Sequence, residues 1–237
     1  GGNGGSVIRY AFFRTPAIPI YQDNGDFTDK PNRFDLFGDG YNPVGMLAYN
    51  NNKKISNRLF GKFFIELSLF KGFKLTSNFG VDLANSNQRR FDRNWGTGGR
   101  INGVNQLSAT DVHNQTITFS NFATYSKSFD KHNFTFLGGI EAIKVKNYTF
   151  NATEKDFADQ TTELTYLGNG RGQKSVQENK NGSALLSYFG KVNYDYNEKY
   201  LLSATLRRDG SSRFGAENRW GTFYAGSLGW RIDKESF

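Results

Sequence analysis

The sequence predicts an all-β fold: an antiparallel up-and-down meander of about eight long strands forming part of a transmembrane β-barrel wall. Three observations carry this. Apolar and polar residues alternate with period two over most of the chain, and the connections between these runs are alternately very short and long. Mean hydropathy is only −0.63, and no apolar run in the 237 residues approaches the roughly 18–20 that a spanning helix needs. A barrel tolerates such low hydropathy because only alternate residues meet lipid.

Taken in order, "SVIRYAFF" at 6–13 reads as a first strand. "LFGKFFIELSL" at 59–69 puts Leu59, Phe63, Ile65, Leu67 and Leu69 on one face, with Lys62 and Glu66 on the other. "FKLTSNFGVDL" at 73–83 repeats the pattern, and only Lys71 and Gly72 separate the two runs, which predicts a hairpin with a two-residue turn. Runs at 116–129 and 133–145 flank Asp130–His132, and runs at 184–196 and 200–208 flank Asn197–Lys199. Residues 221–232 give a last strand. The long connections fall at about 14–57, 92–115, 150–183 and 209–220 and are rich in Gly, Asn, Asp and Thr. In a meander, alternate connections lie at the same end. Tight turns at one end and large loops at the other is the asymmetry of outer-membrane barrels, whose long loops face outward.

The runs reach about 11–15 residues, enough for a tilted membrane strand. Phe73, Phe129, Phe134, Tyr194, Tyr196, Tyr200 and Trp230 cluster beside the short turns, where an interfacial aromatic girdle belongs. The charges on the polar face, among them Lys62, Glu66, Lys74, Asp82, Glu141, Lys191, Asp195, Arg207 and Arg231, are too many for the interior of an eight-stranded barrel. The strands therefore read as one sector of a larger wall.

Composition excludes several chemistries. With no cysteine there is no disulfide, thiol nucleophile or Cys-ligated zinc. The formal charge of +8, with pI about 9.5, suits anionic lipid or lipopolysaccharide phosphate; it is spread along the chain rather than gathered in a stripe, which argues against nucleic acid. The start, "GGNGGSVIRY", lacks a signal peptide's charged-then-apolar order, and the chain reads as a piece of a longer one.

Three features invite a chemical reading and are set aside. "GNGRG" at 168–172 has phosphate-loop glycines but no helix after it, so it reads as a mobile surface loop. His113 and His132, the only histidines, have no partner at metal-ligand spacing. Asp23, Asp26, Asp29, Asp35 and Asp39 lack EF-hand spacing and read as solvated turns, with a calcium ion between outer loops as the alternative. No nucleophile stands beside a base, so no enzyme is expected.

Residues 190–237, "GKVNYDYNEKYLLSATLRRDGSSRFGAENRWGTFYAGSLGWRIDKESF", closely resemble the barrel signature of SusC/RagA-type TonB-linked outer-membrane transporters of Bacteroidota. "FRTPAIPIYQDNGDF" at 13–27 and "RLFGKFFIELSLFKGFKLTSNFGVD" at 58–82 resemble the family's stretch ahead of a large outer loop and its following hairpin. Tyr224 stands where the family usually has Pro, and Lys191 where Arg is common. The resemblance implies a 22-stranded barrel in the outer membrane, a plug inside it, a SusD-like surface lipoprotein as lid, energy from TonB, and oligosaccharide or peptide cargo. No cofactor is implied.

Within the signature, Arg208, Asp209, Gly210, Ser211, Ser212, Arg213, Phe214 and Gly215 read as a structural rim loop. Asp209–Gly210 begins the bend, the serines bond exposed backbone groups, and Arg208 and Arg213 flank Asp209 or reach lipopolysaccharide phosphates. The competing reading of the whole chain is a soluble all-β surface adhesin or carbohydrate-binding module, which would need an apolar core between layers.

Overall fold

A computed structural model describes residues 7–28, 42–94, 102–161 and 163–235. Seven strands hydrogen-bond in sequence order into one sheet of antiparallel neighbours. They are β1 (Asn50–Phe70), β2 (Phe73–Asp92), β3 (Gln106–Phe129), β4 (His132–Lys155), β5 (Lys174–Tyr196), β6 (Tyr200–Ser211) and β7 (Trp220–Trp230). The short connections are turns held in left-handed backbone at Gly72 (φ 84), Asp130 (φ 50), Asn197 (φ 53) and Glu198 (φ 54). Gly72 also lies against the backbone: a Cβ there would stand 2.1 Å from the Ser126 carbonyl oxygen.

The meander is as expected, with seven strands in place of about eight. The missing one is the run at 6–13, where Val7–Phe13 is helix α1, its end closed by the Arg14 N–H donating to the Tyr10 carbonyl at 2.9 Å. Periodicity cannot separate helix from strand in so short an apolar run. A second helix, α2 (Pro43–Tyr49), is capped by Asn42, whose side-chain oxygen accepts from Val44 N (3.1 Å) and Gly45 N (3.3 Å).

The loop limits also differ from expectation. β1 to β5 run 20–24 residues, so the connections expected at 92–115 and 150–183 shrink to 93–105 and 156–173. Likewise β1 begins at Asn50, inside the expected 14–57 loop, and the connection expected at 209–220 is 212–219. Where both faces of a ladder are polar the apolar alternation fades, but backbone pairing continues. Side-chain amides and hydroxyls then pair across strands, as Gln88 does with Asn52 (2.9 Å) and Thr110 with Asn151 (2.9 Å).

The chain divides into two compact units. The first comprises 1–56, 86–111 and 149–179. It holds every buried hydrophobic residue among those described: Ile18, Phe91, Leu107, Ala152 and Phe157, with Phe91 set edge-on to Phe157 at 5.4 Å. Buried Asn105 clamps this small core, accepting from Phe157 N (2.6 Å) and donating to Phe157 O (2.9 Å).

The second unit, 57–85, 112–148 and 180–237, is inverted. Its buried side chains are polar: Thr76, Asn78, Ser120 and Ser187, with Asn78 donating to Ser120 Oγ at 3.2 Å. Its large apolar residues are exposed, as far as Leu228 at 86% and Tyr224 at 87%.

Asn105→Ala removes both halves of the clamp and should cost about 1–3 kcal/mol locally. The expected result is faster trypsin cleavage at Arg171 in the 156–173 connection, with cleavage elsewhere unchanged.

Candidate functional site

The residues expected to form a girdle meet at the short-turn end of the second unit. Phe73 stacks on Phe70 at 4.8 Å, and Phe70 lies 6.3 Å from Tyr125. Phe129 stacks on Phe134 (5.8 Å), Phe134 lies against Tyr194 (4.7 Å), and Tyr196 stacks on Tyr200 (6.4 Å). Tyr200 stands opposite Trp230 in the β6–β7 register. The expectation omitted His132. It is the first residue of β4 rather than part of the turn, lies between Phe129 (5.2 Å) and Tyr196 (5.0 Å), and bonds the Tyr194 hydroxyl through Nδ1 at 2.9 Å. The signal for it was parity, since His132 shares a strand face with Phe134.

Sequence reading also missed a latch after β7. The 3-10 turn Ile232–Lys234 returns the chain to the turn at 197–199, where Arg231 N donates to Lys199 O at 2.8 Å. The Glu235 carboxylate then accepts from Lys199 Nζ, Trp230 Nε1 (2.9 Å) and the Tyr200 hydroxyl (3.3 Å). The Lys199 bond, and then the indole donor, hold the Glu235 carboxyl below its ordinary value against the opposing effect of desolvation. Lys199 is raised, chiefly by the same bond.

At the long-connection end, "RRDGSS" is mostly strand: β6 continues through Ser211, so the bend begins at Ser212 rather than at Asp209–Gly210. The pairing of Asp209 differs from expectation too. Arg207, two residues back and therefore on the same face, donates to it at 2.7 Å. Arg207 also donates to Ser187 Oγ (2.9 Å) and Glu141 (3.2 Å), and its guanidinium lies over the Phe189 ring at 5.8 Å.

Arg208 points to the opposite face and lies over Trp220 at 5.3 Å, and Trp220 in turn stacks on Tyr188 at 6.0 Å. Gly210 makes room for that indole, since a Cβ there would meet its ring at 2.8 Å. Ser212 locks to β5: its N–H donates to Ala184 O (2.9 Å) and its Oγ accepts from Ala184 N (2.8 Å). Ser211 Oγ accepts from Arg213 N at 3.3 Å, and Phe214 and Gly215 are exposed.

The loop "GNGRG" at 168–172 is held in place rather than loose. It wraps a carboxylate of its own chain: Glu154, buried, accepts from Gly168 N at 2.5 Å and pairs with Lys174 at 3.0 Å. A Cβ on Gly170 would stand 2.7 Å from Glu154 Cγ. His113 bonds the Asn85 side chain at 3.0 Å and lies 5.7 Å from the Tyr148 ring. Among the described residues no three His, Asp or Glu gather as a metal site; Asp29, Asp35 and Asp39 of the acidic group lie outside the described residues. Asp26 caps a small hairpin turn with Asn24, bonded through N at 3.1 Å and Oδ2 at 2.9 Å.

Over its whole length the chain is 31% identical to TonB-dependent receptor P3 of Formosa agariphila, matching 23% of that protein. It is 28% identical, over 83% of its length, to TonB-dependent receptor SusC of Bacteroides thetaiotaomicron, matching 19% of it. The chain thus spans under a quarter of the length of these relatives. The fold matches the RagAB peptide importer in its closed-closed state, with TM-score 0.76 at 23% identity over 92% of this chain and 25% of that one. No family model matches.

Asp209→Ala should lower the stability of the assembled sheet by roughly 1–2 kcal/mol, because the Arg207 hydrogen bond is charged but part-exposed. The check is the temperature at which the folded band is lost on electrophoresis. The latch should respond to pH. Its carboxylate contribution is complete above the ordinary Glu value of 4.5 and is lost as pH falls through the lowered one. The amine contribution is complete below 10.5 and is lost as pH rises through the raised value. Hydrogen-exchange protection over 231–235 should therefore be flat through neutrality and fall on strong acidification, and Glu235→Gln should remove that acid dependence.

Proposed function

We infer that this chain, a member of the SusC-type TonB-dependent receptors, forms a sector of the barrel wall of an outer-membrane nutrient importer. The observation that carries this is the inversion of the second unit, where polar side chains are buried and large apolar ones lie open. Such a sheet in water would expose a continuous apolar surface, whereas in a bilayer the same surface is solvated by lipid. A soluble module would cover that face with a second layer, and none exists among the described residues.

The wall's role is passive and non-enzymatic. One face excludes lipid. The other carries matched charges, Arg58 with Asp82 (2.7 Å), Lys74 with Glu66 (2.8 Å) and Arg207 with Asp209 and Glu141, suited to a hydrated lumen holding a plug. The long connections stand outward, where they meet oligosaccharide or peptide cargo and a SusD-like lipoprotein lid. Energy reaches the barrel from the TonB complex through parts of the receptor other than this wall.

Leu206 and Thr205 test the faces as neighbours. Leu206→Lys puts a charge in hydrocarbon at a cost of about 2–4 kcal/mol near the midplane, and Thr205→Lys puts it in the lumen. The expected outcome is loss of the heat-modifiable outer-membrane form for Leu206→Lys only. Recovery of the whole protein in the soluble periplasm would sink the reading.

A further inference from the structure

We propose that the lipid-facing side of β3–β5 at the long-connection end is a binding site for the phosphorylated headgroup of lipopolysaccharide. This rests on the barrel reading above and adds a specific lipid to it. On β4, ten residues separate Phe134 in the aromatic band from Lys144 on the same face. At about 3.3 Å per residue and a tilt near 40°, that is ~25 Å along the membrane normal, the height of the apolar band of such barrels. Lys144 therefore stands where the hydrocarbon ends on the outer side, and Lys146 lies one step beyond it in the headgroups.

These lysines share an open groove of about 660 Å³ with Lys180, His113, Gln115 and Tyr148. No acidic side chain lines it; Glu178 and Asp209, the acids nearest in sequence to Lys180 and Ser212, do not take part, and Asp209 is paired with Arg207. None of the three lysines has a hydrogen-bond or ion-pair partner among the described residues. In the same sheet, Arg58, Lys74 and Arg207 on the opposite face are all paired. Unpaired cations gathered on one groove, with no acid beside them, are complementary to a multiply charged anion.

The groove continues into a second, of about 480 Å³, and the two share Lys144, Ala184 and Ser212. Its lining turns apolar, with Ile117, Phe119, Ala142 and Leu186, and at its side stand Trp220 and Arg219. A free phosphate or a nucleic acid would use the cations and leave this apolar floor empty. A phosphorylated glycolipid uses both, with phosphates on the lysines and acyl chains along the floor. Trp220, stacked on Tyr188 under Arg208, marks the interface at the same level.

The test uses the full-length receptor in phosphatidylcholine nanodiscs doped with either bis-phosphorylated or dephosphorylated lipid A, with retained lipid read by native mass spectrometry. Wild type should retain the phosphorylated form selectively. Replacing Lys144, Lys146 and Lys180 by Gln should cut retention by roughly fivefold per lysine, about 100-fold together, while replacing them by Arg should preserve it. Both variants should keep the heat-modifiable folded form. A folded Gln variant that retains phosphorylated lipid A like wild type overturns the proposal, as does equal retention of the dephosphorylated lipid. A wild-type receptor that never enters the membrane would instead overturn the barrel reading, so the two failures are distinguishable.

Discussion

Each strand of this chain hydrogen-bonds only to its neighbours in sequence, β1 and β7 on one side alone, and no second layer among the described residues covers the sheet. In hydrocarbon that constraint decides everything else, because an unpaired backbone N–H or C=O there costs several kcal/mol while an exposed Leu costs nothing. Selection on the sheet's two faces is therefore the reverse of that in a water-soluble protein. Leu206 and Leu228 need no packing partner, whereas Asn78, Ser120 and Ser187 need one and have it. The few conventionally buried apolar residues, Phe91, Leu107 and Phe157, sit in the first unit, with the connections 93–105 and 156–173, where ordinary packing applies.

The "LRRDGSS" motif shows how one short stretch serves both faces. Alternation sends Arg207 and Asp209 inward to a shared polar network, and Arg208 and Gly210 outward to one indole. Neither pair is interchangeable with its neighbours. Moving either arginine by one residue would take Arg207 from Asp209 and Glu141 or leave Trp220 without its cation. The serine after the strand then closes the edge by exchanging two hydrogen bonds with Ala184.

Most of the architecture was legible in the sequence wherever one face is apolar. The alternation of Leu59 to Leu69 with Lys62 and Glu66 located β1, and the two residues between Phe70 and Phe73 located its turn. It was illegible where the physical contrast disappears. Asn50 to Ser56 and Lys174 to Asn179 hold one apolar residue each, Ile55 and Val176, so no alternation separates strand from loop there, although the ladder continues. At 7–13 the contrast is present but the run is too short to fix a period, and it folds as a helix. The partner of Asp209 was misread because sequence adjacency suggested Arg208, while strand geometry brings i and i+2 together. Glu235 was missed because its three donors come from the preceding turn, β6 and β7, a convergence with no local signature.

The collar around Glu154 has a consequence for how such a receptor changes over time. Gly168 and Gly170 close on a carboxylate at the root of their own hairpin, Gly172 N donates to Lys155 O at 2.9 Å beside it, and Asn105 fixes Phe157 on the other side of that root. The intervening stretch is tied down at both feet before its own composition matters. It behaves as a cassette held also by its backbone, since Thr165 O accepts from Arg89 at 3.0 Å: side chains can change there while the collar and the clamp keep their bonds. A lineage can trade that cassette to meet new surroundings without redesigning the wall that carries it.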